Sequence, residues 1–213
     1  MRIRRFLFTF WGLHMANPNT PYGLRPYAYA SGAPYNGAVQ TYYVPVGNAT
    51  ALFFGDPVLV VTNSSDGNGV PTAEIAAAGG GTYVTGVFMG RVNNAGQSTI
   101  TVQQNFTPYL PASTAAYIAV CDDPNLVYAI QEDSVGGAMV SGASSRNADL
   151  VAGTGSTVTS QSGWMLDSST LQTTNTLQLR ILRMLQETDN AVGVNAKWLV
   201  RLNLSSITNP TGI

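Results

Sequence analysis

From Ala38 onward, apolar and polar residues either alternate with a period of two or gather in short continuous runs. No stretch carries the 3.6-residue period of an amphipathic helix. Val39, Thr41, Tyr43 and Pro45 alternate with Gln40, Tyr42 and Val44, which predicts a strand without a clear inner face. Gly55-Asp56-Pro57 reads as a turn into Val58-Leu59-Val60-Val61, an apolar run of the kind expected for a strand buried on both faces. Asp66-Gly67, inside the polar stretch 63–69, predicts a hairpin. Residues 83–92 and 98–104 read as a second hairpin, joined through Asn93-Asn94-Ala95-Gly96.

The later chain continues in the same way. Residues 117–121 and 126–131 are two β runs around Asp122-Asp123-Pro124-Asn125, where Pro124 suits the second position of a turn. Residues 132–139 could hold a single helical turn, and the Gly/Thr/Ser-rich stretch 149–160 reads as a loop. Residues 176–184 and 197–203 close the chain as two more strands. The pattern as a whole predicts an all-β fold, an antiparallel β-sandwich or barrel of about ten short strands, with residues 38–213 as one β-rich domain.

Two segments precede that domain. Residues 16–37 are rich in Pro, Tyr, Gly and Asn, and Pro18, Pro21, Pro26 and Pro34 block a helix. They predict an extended N-terminal arm whose tyrosines offer broad contact area, lying either on another molecule or across its own domain. Residues 1–15 place Arg2, Arg4 and Arg5 before a short apolar run and a second Met at position 15. The run is at the short limit for a signal peptide and no Ala-x-Ala site follows, so these residues read as a leader or a miscalled start.

Charge changes the picture most. Asp, Glu, Lys and Arg make up 10% of the chain, against about 25% in ordinary proteins. Depletion of charge suits a protein with much of its surface in lasting contacts. Removing Arg2, Arg4 and Arg5 from the ten bases leaves seven against eleven acids. That balance excludes an extended basic groove, so no direct nucleic-acid partner is expected. No stretch is long and apolar enough for a membrane span.

Candidate chemistry is sparse. The single histidine, His14, lies in the leader, which removes most Ser-His and Cys-His schemes, so no catalytic residues are assigned and an enzyme is not expected. Cys121 sits in an apolar run and reads as a buried, inert thiol. The acidic pairs Asp122-Asp123 and Glu132-Asp133 could offer hard oxygens to calcium, but turn or interface roles fit them better. Asp66-Gly67-Asn68-Gly69 lacks the downstream spacing of a calcium loop, and Gly79-Gly80-Gly81 precedes no helix. No metal or cofactor is expected. Trp164 and Trp198 read as core or interface anchors rather than sugar platforms.

Several segments carry a resemblance in their order and spacing. They are Asp122-Asp123-Pro124, Gln131-Glu132-Asp133-Ser134-Val135-Gly136-Gly137, Ser162-Gly163-Trp164-Met165-Leu166-Asp167-Ser168-Ser169, Leu179-Arg180-Ile181-Leu182-Arg183 and Ala196-Lys197-Trp198-Leu199-Val200. With Tyr22-Gly23-Leu24-Arg25-Pro26 and residues 36–61, they resemble the head decoration (cement) proteins of short-tailed bacteriophages, over nearly everything after Met15. The resemblance implies a non-enzymatic virion protein on the outer surface of the expanded icosahedral capsid. It would bridge neighbouring major capsid proteins and stabilise the shell against DNA pressure by linkage. A homotrimer at threefold positions is expected, or a dimer. Shell contact is assigned to Pro21, Tyr22, Leu24, Arg25, Pro26 and Tyr27 in the arm. Asp122, Asp123, Gln131, Glu132, Asp149, Asp167, Arg180, Asp189, Asn190 and Lys197 are assigned to turns, internal ion pairs or subunit contacts. The alternatives are a low-copy carbohydrate-binding module of a tail fibre or spike, and a secreted β-domain using residues 1–14 for export.

Overall fold

The computed structural model describes residues 17–92 and 108–209. The leader at 1–15 and the strand expected at 98–104 lie outside the described residues. Within them the chain is built from strands, with two one-turn 3-10 helices at Ser141–Ala143 and Ser168–Thr170, so the all-β class holds.

Strands β1 (Arg25–Tyr29), β7 (Leu126–Gln131), β8 (Asn147–Ala148), β11 (Leu179–Met184) and β12 (Lys197–Leu202) form an open sheet of order β1-β7-β12-β11-β8. Strands β2 (Gln40–Val44), β3 (Pro57–Ser65), β4 (Pro71–Ile75), β5 (Gly86–Val92) and β6 (Ala116–Cys121) close into a barrel of order β2-β4-β3-β5-β6. A two-stranded ribbon of β9 (Leu150–Val151) and β10 (Met165–Leu166) packs beside the end of β7, bridged through Glu132 and Leu166, with Leu150 and Leu166 in the main core. Apart from the single parallel β2–β4 contact at Tyr43 and Thr72, the paired strands of these sheets run antiparallel.

Period-two alternation divides the apolar residues between layers. Val44, Val58, Phe88, Ile118 and Val120 fill the barrel. Ala119 and Cys121 of β6 point the other way, joining Leu126, Tyr128 and Ile130 of β7 and Trp198 and Val200 of β12 in the core between barrel and sheet. Both tryptophans of the resemblance, Trp164 and Trp198, are buried in this core. A third, smaller cluster of Val127, Ala129, Leu185 and Leu199 lies on the far face of the sheet, with Tyr22 packed over it.

Several expectations need correction. In β3 only Pro57 and Val58 are buried, and Leu59, Val60 and Val61 are half-exposed. The strand covered on both faces is β7, buried along its whole length: Leu126, Tyr128 and Ile130 join the main core, and Val127 and Ala129 pack with Leu185, Leu199 and Tyr22 on the other side. The two β runs around Asp122–Asn125 do form as read; β6 belongs to the barrel and β7 to the sheet, so the turn carries the chain between them. No helical turn forms at 132–139, where Ser134 takes a positive φ and Asp133 Oδ1 accepts from the Val135 N–H. The hairpin at Asp66 forms as read: its carboxylate accepts from the Asn68 and Val70 N–H groups, and β3 and β4 pair antiparallel.

Residues 17–29 lie against their own fold. The Asn17 side chain exchanges two hydrogen bonds with the Ala191 backbone, at 2.8 and 2.9 Å. Gln131 accepts from the Thr20 N–H and donates to Asn19 Oδ1. Arg25–Tyr29 then becomes the edge strand β1, antiparallel to β7.

Candidate functional site

The six residues assigned to partner contact divide by their surroundings. Leu24 is fully buried in the main core, so it holds the segment down and offers no contact surface. Pro21, Tyr22 and Pro26 are half-buried, whereas Arg25 and Tyr27 are exposed. The Arg25 guanidinium stands 4.4 Å from the centre of the Tyr22 ring, a cation–π contact. Burial pushes the Tyr22 hydroxyl up to about 12; Arg25 opposes that shift, while Glu187 and Asp189 add to it.

Around these residues the outer face of the five-stranded sheet gathers positive charge. Residues directly opposite across a sheet share a face. Arg25 lies opposite Ala129, Ala129 opposite Leu199, and Leu199 opposite Arg183. Arg180 lies opposite Arg201. The structure therefore brings Arg25, Arg180, Arg183 and Arg201 to one face. The three later arginines are interleaved with Leu and Val in sequence, which hides their convergence.

Two β-bulges shape this face. One falls at Tyr27 in β1 and the other at Leu182 in β11. Each adds a residue to its strand and reverses the inward–outward parity of the positions beyond it. Between the bulges lies a groove of about 440 Å³ floored by Val127 and Leu199, with Arg183 and Arg201 on its wall. A second concavity, of about 400 Å³, adjoins it beside Arg180 and Arg201. No Asp or Glu lines either one.

The remaining polar residues of the resemblance hold turns and joints. Asp122 accepts from the Tyr42 hydroxyl at 2.8 Å, and Asp123 from the Asn125 N–H at 2.7 Å. Buried Glu132 accepts from the Met139 N–H, and Asp149 from the Gln178 N–H. Asp167 caps the short helix at Ser168–Thr170. Burial raises the carboxyl pKa of Asp122, Glu132 and Asp149 alike above the ordinary value. Lys197, only 8% exposed, pairs with Glu187 at 3.2 Å and Asp189 at 3.1 Å. Asn190 donates to the Leu185 and Lys197 carbonyls and accepts from the Lys197 N–H. These side chains spend their polar atoms within the fold. No cluster of three or more His, Cys, Asp or Glu able to hold a metal is found among the described residues.

Among the described residues, no helix is long and apolar enough to cross a membrane. Comparison of the chain with family models, with curated proteins and with solved structures finds no match.

Proposed function

We propose that the chain is a capsid decoration protein. It docks on the outer surface of the expanded icosahedral head and bridges neighbouring major capsid proteins, stabilising the shell against DNA pressure. Binding only to the assembled, expanded lattice favours that lattice by mass action. Self-association into a trimer or dimer multiplies modest contacts at each site. The mechanism is physical and needs no catalytic group, cofactor or direct nucleic-acid contact.

One observation supports this reading beyond the sequence resemblance. A chain with 10% charged residues concentrates four arginines, together with Tyr22 and Tyr27, on one sheet face. Arginine and tyrosine are enriched in protein interfaces and dominate their binding energy. Tyr22, Arg25 and Tyr27 are the arm residues that supply this surface, whereas Leu24 anchors it.

The test is the copy number in purified virions relative to the major capsid protein, by quantitative mass spectrometry. Near-stoichiometric abundance is expected. A handful of copies per particle would favour the tail-fibre or spike module, and absence from particles would favour a secreted domain.

A further inference from the structure

Arg180 and Arg201 are directly opposite each other on neighbouring strands. Like charges in that relation repel and destabilise the pair. Arg180, Arg183 and Arg201 form no ion pair with a described residue. Arg201 donates to the Pro124 carbonyl at 3.0 Å, while its buried Nε has no hydrogen-bond partner. An arginine step of this kind, uncompensated and beside an apolar groove, has the chemistry of half an interface.

We propose that this step and the adjoining groove bind an extended acidic segment of a partner protein. Its carboxylates meet Arg180, Arg183 and Arg201, and an apolar side chain enters the groove above Val127 and Leu199. The assignment deepens the docking face proposed above and rests on it. Charge complementarity selects the occupant, since guanidinium groups match carboxylates as two-pronged donors.

Spacing supports an extended peptide. Because of the bulge at Leu182, Arg180 and Arg183 face partners two residues apart, Arg201 and Leu199. Side chains on one face of an extended chain recur every ~7 Å, the same two-residue step. A nucleic acid would gain little from the apolar floor, and three or four arginines track few phosphates.

The experiment measures binding of the full chain to a short fluorescein-labelled peptide alternating glutamate and leucine. A lysine-for-glutamate peptide and an oligothymidylate serve as comparisons. The acidic peptide should bind best, and the double variant R180E/R183E should weaken it at least tenfold. Because R180E replaces a like-charge pair with an opposite one, the double variant should melt no lower than the parent chain. Equal binding of the two peptides, unchanged binding by R180E/R183E, or tighter binding of the oligothymidylate would each overturn the proposal.

Sedimentation with expanded heads lacking the protein separates this inference from the capsid reading. Acidic-peptide binding without head binding removes the capsid reading and keeps the groove. Head binding that R180E/R183E retains, with no peptide binding, keeps the capsid reading and removes the groove.

Discussion

Gly23 and Gly55 cross with their backbones in contact. The Gly55 carbonyl accepts from the Leu24 N–H at 2.9 Å, and both glycines have positive φ, 70° and 95°. A Cβ on Gly23 would stand 2.3 Å from the Gly55 carbonyl oxygen, and one on Gly55 would stand 2.3 Å from the Tyr22 carbonyl oxygen. This crossing fixes the N-terminal segment to the turn that leads into β3. Gly23→Ala or Gly55→Ala should each cost ~2–4 kcal/mol, from strained backbone and the clash together. Urea unfolding would measure the loss; a change within experimental error at both positions would show that the crossing is not tight.

Asn190 should matter more than the ion pairs beside it. Its side chain makes three buried hydrogen bonds with the backbone of Leu185 and Lys197. Asn190→Ala takes the side-chain partner from the Lys197 N–H and the Leu185 carbonyl, while the Lys197 carbonyl keeps the Leu185 N–H; the cost is ~2–3 kcal/mol. Lys197→Met removes two pairs whose carboxylates are about half exposed. Solvent screening limits that loss to ~1 kcal/mol, smaller still in high salt. Thermal melts of the two variants at low and high salt would compare them.

Stability should fall as the pH rises from about 4 to about 6. Burial lifts the Asp56 carboxyl from 3.8 to about 6, against hydrogen bonds from Ser162 and the Phe53 N–H. The folded chain therefore holds a proton that the unfolded chain has released, and the stability this contributes is lost as pH rises through the folded value. The difference corresponds to ~3 kcal/mol for Asp56. Asp122, Glu132 and Asp149 shift the same way, whereas Asp66, hydrogen-bonded to Tyr117, shifts the other way. Asp56→Asn should flatten the slope between pH 4 and 6. Denaturant melts across that range would show it, and an unchanged slope would remove Asp56 as its source.

Cys121 should be silent toward thiol reagents in the folded protein. Its thiol is buried beside the Tyr35 hydroxyl, 2.9 Å away, and burial pushes it up to about 12. Thiolate is the reactive form, so labelling should track unfolding. Aromatic disulfide reagents should give a full equivalent in denaturant and essentially none in buffer. Rapid labelling under native conditions would contradict the packing around β6.

Much of the architecture was legible because local rules decide it. Period-two alternation marked the strand that became β2, residues 176–184 and 197–203 read as the strands that became β11 and β12, and Asp66-Gly67 marked a turn whose side chain satisfies its own backbone. Pairing partners were not legible in the same way. Tyr117–Cys121 and Leu126–Gln131 flank the turn at Asp122–Asn125 with nothing local to say what each pairs with, and each satisfies its backbone in a different sheet. The arm was legible as extended and aromatic; that Leu24 enters the core depends on a space that only the folded barrel and sheet create.

By itself the sequence determined a β-rich chain with few charges, no histidine beyond residue 14, and a lone apolar-flanked cysteine. Tertiary structure decided which charges meet. In a regular strand Arg180 and Arg183, three residues apart, would point to opposite faces. The bulge at Leu182 shifts the register by one and turns both outward, and β12 brings Arg201 opposite Arg180. A bulge is set by pairing with another strand, and long-range pairing is not encoded in any local spacing; that is why the arginine face emerges only in the fold.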